Sequence, residues 1–155
     1  MEASDTISFR KALEAVLEGQ RSDERLKGRM NASLDLQVLD CDEEHRQWAE
    51  YAYDLKEMHL NPYDGIHGGV ICALTDTCGG VTIAVAAGRM PSTTDLSCSY
   101  LRPMNGQHFR IRVELTLLGN RLAGCSCSVY DRDSDKLLVT SMLKYILLDI
   151  PTKTE

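Results

Sequence analysis

Two short patterns in this sequence could do chemistry together. Asp76 lies between Thr75 and Thr77 inside the run from His67 to Ala87, HGGVICALTDTCGGVTIAVAA, which is apolar nearly all round. Burying an unpaired carboxylate costs on the order of several kcal/mol, so such a residue is paired, protonated or functional. The plain alternative is a carboxyl satisfied by neighbouring hydroxyls or a distant arginine. The second pattern, His67-Gly68-Gly69, opens the same run. First-turn amides of a helix lack an intrahelical acceptor and carry the positive end of its dipole. Glycine lets another group approach them, which suits a developing oxyanion, although glycines are also ordinary where helices begin. Further along, Gly79 and Gly80 each cost ~1 kcal/mol relative to alanine in a helix interior. Something therefore approaches the backbone there, whether a packed element or a ligand.

Spacing constrains how acid and amide could cooperate. Gly68 and Asp76 are eight residues apart, roughly 12 Å along a helix axis. They cannot both touch one carbonyl group from a single helix. Acting on one bond, they must come from different subunits, and two such helices antiparallel across a two-fold axis would give two equivalent sites.

Other chemistries fit less well. Cys72 and Cys78 flank Asp76, but no base is placed to make either a thiolate, and apolar surroundings suppress thiol reactivity. Cys125-x-Cys127 has no second pair at zinc-ligand spacing, so packing explains it better than a metal. His45, His59 and His108 lack partners at telling spacing and read as surface or strand residues. Val70–Ala87 is long enough to suggest a membrane span, yet an aspartate, threonines and two glycines in it argue against one. A net charge of −6 opposes a nucleic-acid or anionic-membrane partner, both of which need a basic face. Met1–Asp5 lacks the basic and apolar regions of a secretory signal, so cytoplasmic residence and reduced cysteines are expected.

The positioning elements follow from periodicity. Residues 5–18 read as an amphipathic helix, with Asp5 as N-cap and Gly19 as its end, and residues 20–30 as a charged connection. Residues 33–41 alternate as a strand, and 46–55 form a less regular one. The His67–Ala87 run is too long and too evenly apolar for a strand and reads as a buried helix, stopped by Gly88 and Pro91. Strands are expected at 93–101, 108–118, 121–131 and 136–149, joined as a four-strand antiparallel meander with a hairpin at Gly119-Asn120. Ala123, Cys125, Cys127 and Val129 would face inward, small enough for the helix to lie close. One antiparallel sheet wrapped around one apolar helix is the simplest architecture, an α+β fold.

Asn61-x-x-x-Gly65-x-His67-Gly68-Gly69, Asp76 nine residues after the histidine, and Thr93-x-Asp95-Leu-x-x-x-Tyr100-Leu-Arg-Pro103 together resemble the thioesterase branch of the hotdog superfamily. The resemblance is to its phenylacetic-acid-degradation-type family and covers about residues 33–149. It implies a hotdog fold over 31–155, preceded by an N-terminal helix and charged connection over 1–30. It also implies hydrolysis of an acyl-CoA thioester, with Asp76 as nucleophile or general base and the Gly68 amide as oxyanion donor. Asn61 would position the carbonyl or water, His67 would hold the loop, and Thr93 would orient water, with Thr94 the alternative one residue on. Gly69, Thr77, Gly80 and Arg102, the last near a CoA phosphate, complete the expected substrate contacts along with Thr94. No cofactor is implied, since the CoA thioester is substrate, and the expected assembly is a homodimer or dimer of dimers. The His-Phe-Pro-type loop and His–Glu pair of the related dehydratases are missing. The rival reading is a hotdog module that binds acyl-CoA without turning it over.

Overall fold

The computed structural model of the chain describes residues 7–152. Helix α1 spans Phe9–Ser22, starting four residues later than its expected beginning and running through Gly19. Asp5, the expected cap, lies outside the described residues. Ser8 caps instead, its hydroxyl accepting from the Lys11 amide, and the Glu43 carboxylate accepts from the Phe9 and Arg10 amides. An acid at that helix end also meets the positive end of the dipole. Phe9, Ala12, Leu13 and Leu17 bury the apolar stripe of α1 in the core.

A short helix α2 covers Met30–Leu34 and ends at Asp35 in the left-handed region, φ 49°. The first strand is therefore shorter than the expected 33–41: β1 is Gln37–Cys41 and β2 is Trp48–Asp54. The long helix α3, Gly68–Ala87, lies where expected. His67 caps it, its Nδ1 accepting from the Gly69 amide at 2.9 Å, and Gly88 ends it at φ 66°, a conformation glycine adopts at little cost.

Four strands follow: β3 (Arg89–Tyr100), β4 (His108–Leu118), β5 (Leu122–Asp131) and β6 (Leu137–Pro151). Their neighbours differ from the expected meander. The antiparallel sheet runs β1-β2-β4-β5-β6-β3, so only β4-β5-β6 is a meander, while β3 crosses to the far edge and pairs with β6. Alternation specifies which face a strand buries and says nothing of which strand lies beside it. Pro91, expected as a stop, sits within β3, where an edge strand tolerates a missing amide donor.

The sheet curls around α3. Leu74, Cys78 and Ile83 of the helix share one apolar core with Tyr51, Ile111, Val113, Cys125 and Leu143 of the sheet, all nearly or wholly inaccessible. Each large apolar side chain so buried contributes ~1.5–3 kcal/mol. Ala123, Cys125, Cys127 and Val129 face inward as their alternation requires. Among the described residues α3 is the one helix long and apolar enough to cross a membrane, and 67% of its most apolar window is buried in the fold. This is the hotdog architecture.

Candidate functional site

Asp76 leaves α3 toward two neighbouring strands. Thr93 of β3 and Tyr145 of β6 are paired directly across the ladder, so their side chains share a face. Both reach Asp76: the Thr93 hydroxyl donates to Oδ1 at 2.7 Å, and the Tyr145 hydroxyl lies 3.3 Å from the same oxygen and 3.2 Å from the Asp76 carbonyl. Burial, ahead of nearby Cys125 and Asp76, raises the Tyr145 pKa, so this phenol stays protonated and donates. Oδ2 has no hydrogen-bond partner and Asp76 no ion pair among the described residues. The acid is half-buried and lines a cavity of about 650 Å³ with Thr77, Gly80, Thr93 and Tyr145. One oxygen is therefore held while the other is free to attack or to accept a proton.

A bulge decides between the two candidate threonines. The β3–β6 register shifts between Thr93 and Asp95, leaving Thr94 as the extra residue, with its hydroxyl on the Lys144 carbonyl at 3.2 Å. Bulges re-aim side chains in this way. Thr93 meets the acid; Thr94 does not.

The second half of the candidate site lies at the start of α3. The Gly69 amide is occupied by His67 Nδ1, and the Val70 amide by the His67 carbonyl. The Gly68 amide has no acceptor among the described residues, and Gly68 is exposed. It lines a separate cavity of about 430 Å³ with Gly65, Ile71, Tyr100, Arg102 and Asn105. Tyr100 donates to the Gly68 carbonyl at 2.9 Å and lies 3.2 Å from the Cys72 sulfur. Asn61 organises the loop leading there: its Oδ1 accepts from the Tyr63 and Gly65 amides. Arg102 donates to the Leu137 carbonyl. The two cavities share no lining residue, so one chain does not bring Asp76 and Gly68 together.

Several residues depart from their expected surroundings. His59, read as a surface or strand residue, is 2% exposed, because Tyr53 and Ser33 hydroxyls satisfy its two ring nitrogens. Gly79 is a packing glycine: a Cβ there would lie 2.6 Å from the Tyr145 hydroxyl and 2.8 Å from the Cys125 sulfur. Tyr145 escaped the sequence reading, since only strand pairing reveals that it sits opposite Thr93. All six cysteines are free, and burial raises the Cys78 thiol well above its ordinary pKa, consistent with a packing role.

Residues 63–138 match the family model described as the Thioesterase superfamily. The matched stretch, just under half of the chain, is similar to that superfamily. Among solved structures, zebrafish thioesterase superfamily member 2 aligns over 92% of this chain and 100% of its own, with 16% identity and a TM-score of 0.77. The Escherichia coli PaaI protein from the phenylacetic acid degradation operon aligns over 94% and 99%, with 14% identity and a TM-score of 0.75. A hypothetical thioesterase from Streptococcus pneumoniae, solved with coenzyme A, aligns over 76% and 88%, with 15% identity and a TM-score of 0.66. At these identities the likeness is one of fold. A comparison with curated proteins finds no match. The matched stretch contains both Gly68 and Asp76, whereas α1 and Tyr145 lie outside it.

Proposed function

We propose that the chain hydrolyses an acyl-CoA thioester to a free acid and CoA, as a phenylacetic-acid-degradation-type hotdog enzyme working as a dimer. The observation that carries this reading is the half-held carboxylate: Oδ1 of Asp76 is fixed by Thr93 and Tyr145, and Oδ2 faces no protein partner. Two routes are open to it. Oδ2 attacks the thioester carbon, CoA leaves as the thiol after taking up a proton, and water then cleaves the acyl–Asp76 anhydride. Alternatively, Oδ2 takes a proton from water as that water attacks, and the proton passes to the departing sulfur. In both, negative charge grows on the carbonyl oxygen, and the unpartnered Gly68 amide of a second chain stabilises it. His67 and Asn61 act through the loop, presenting that amide, while Thr93 orients the acid and its water.

The separation of the two cavities supports a dimer. The outer edge of β3 is unpaired in the sheet order, and Tyr63, Tyr100 and Leu101 near the Gly68 end are 90%, 51% and 50% exposed. A second β3 laid antiparallel along that edge would turn one protomer's Asp76 toward the other's Gly68. The Streptococcus pneumoniae neighbour was solved with coenzyme A, which supports a CoA thioester as substrate class. Thiol release from a panel of acyl-CoAs tests the reading. Turnover by the wild type, with loss in Asp76→Asn, is expected. Tight binding without turnover, unchanged by Asp76→Asn, would instead establish a binding module.

A further inference from the structure

Strand β3 holds both chemical groups of α3, each by a side-chain hydroxyl. Thr93 donates to the Asp76 carboxylate at 2.7 Å, and Tyr100 donates to the Gly68 carbonyl at 2.9 Å. Thr93 and Tyr100 are seven positions apart, which in a regular strand would put them on opposite faces. The bulge at Thr94 takes up one residue, so both face α3: Thr93 pairs with Tyr145 and Tyr100 with Val139, two buried residues of β6. The phenol gives its one hydrogen to Gly68, so its oxygen accepts from the Cys72 thiol at 3.2 Å. Burial, followed by the Cys72 contact, raises the Tyr100 pKa, and the hydroxyl keeps that hydrogen. The chain just beyond the ring is fixed as well, since the Leu101 and Arg102 amides both donate to the Leu138 carbonyl. Gly68 and Gly69 follow each other at an exposed helix start, where glycine restrains the backbone least. Other bonds there stay within the loop and helix: the His67 amide donates to the His59 carbonyl, and the Gly69 amide to His67. Among the described residues, Tyr100 makes the one hydrogen bond from the sheet to residues 66–70. Its ring also rests on that residue: a Cβ added to Gly68 would lie 3.6 Å from the hydroxyl and 3.8 Å from Cζ.

Resting on the proposed thioester hydrolysis, we propose that Tyr100 is a positioning residue for it, tying the Gly68 amide to a set place along β3. That strand is the edge on which the second chain is proposed to lie, so the tether sets how far the amide reaches across the interface. Thr93 does the same for the acid. The carbonyl that Tyr100 holds belongs to the peptide after Gly68, and the oxyanion donor to the peptide before it. The phenol therefore acts on the place of the amide rather than on its polarity. Without the phenol the donor remains, but on a glycine pair free to shift, and displacement of about 1 Å costs such a group much of its effect.

The test crosses Tyr100→Phe with Gly68→Pro, which lacks the amide at a helix position that accepts proline. Tyr100→Phe loses one oxygen at an exposed site, so it is expected to fold and to keep the wild-type assembly in light scattering. With Gly68 intact, this loss lowers kcat by about tenfold and shifts KM by less than about twofold. In the Gly68→Pro background the same change leaves kcat as it was, because the group being positioned is gone. In amide spectra of protein carrying isotope-labelled glycine, the signal missing from Gly68→Pro moves or broadens in Tyr100→Phe. Equal falls in both backgrounds, a change confined to KM, an unchanged kcat, an unmoved signal, or a fall that tracks loss of the assembly would each overturn the inference and leave hydrolysis intact. A moved Gly68 signal in a protein that releases no thiol would keep the tether and remove the hydrolase.

Discussion

At the scale of single residues, the carboxylate of Asp76 depends on what holds it. Thr93 and Tyr145 both contact Oδ1, which fixes the rotamer and leaves Oδ2 uncommitted. Replacing the acid with asparagine keeps the shape and removes the proposed base or nucleophile, so kcat should fall by about 10²–10⁴ with the melting temperature unchanged or raised. Thr93→Val should leave the acid in place but loosely oriented, with a smaller loss of kcat and little change in KM; equal losses in both would mean that Thr93 serves binding instead. Steady-state kinetics on purified variants distinguishes these. Asp76 was legible in the sequence because an acid amid apolar residues is costly and therefore conspicuous. The choice between Thr93 and Thr94 was not, because a bulge changes which residue faces inward without leaving a mark in the alternation. Tyr145 reads as one more aromatic in a strand until β6 is known to lie beside β3.

At the scale of elements, the start of α3 is the part most exposed to testing. His59, one turn of chain before the loop, accepts the His67 amide on its carbonyl and so helps to place the helix start. Burial, aided by nearby Lys56, lowers the His59 imidazole pKa below its usual 6.5. The folded protein therefore keeps this ring neutral at pH values where the unfolded chain protonates it. That contribution to stability is complete above about 6.5 and is lost as pH falls through the depressed folded value. Thermal melts from pH 7 down to pH 5 should show a falling midpoint, with a shallower slope in His59→Gln; parallel slopes would remove the assignment. Further along α3, Gly79→Ala would push a methyl into the Tyr145 hydroxyl and the Cys125 sulfur. Overpacking of this kind costs about 1–3 kcal/mol, which a denaturant titration would register as a lower midpoint with unchanged slope. The helix itself was evident from length and uniform apolarity. The order of strands was not: β3 and β4 look like hairpin partners in sequence, yet β5 and β6 lie between them in the sheet.

At the scale of the whole molecule, the proposed hydrolysis requires two chains. Asp76 and Gly68 line different cavities of one protomer, as the spacing of eight residues along α3 dictates. Gly68 is well suited to a clean lesion. It occupies the first helical position, where proline is accepted, and His67 at φ −67° and ψ 128° already has the backbone that precedes proline. Gly68→Pro therefore removes the amide at small structural cost, whereas Gly68→Ala retains it. The expected losses in kcat are about 10²–10³ for proline and little for alanine. The central claim is that these two groups serve one bond from opposite protomers. It is tested most directly by co-expressing Asp76→Asn and Gly68→Pro chains under different tags and purifying the mixed dimer. Such a dimer carries both lesions in one site and none in the other, so it should show about half the wild-type activity, far above either parent. A mixed dimer as inactive as its parents would place both groups in one chain's site and contradict the account.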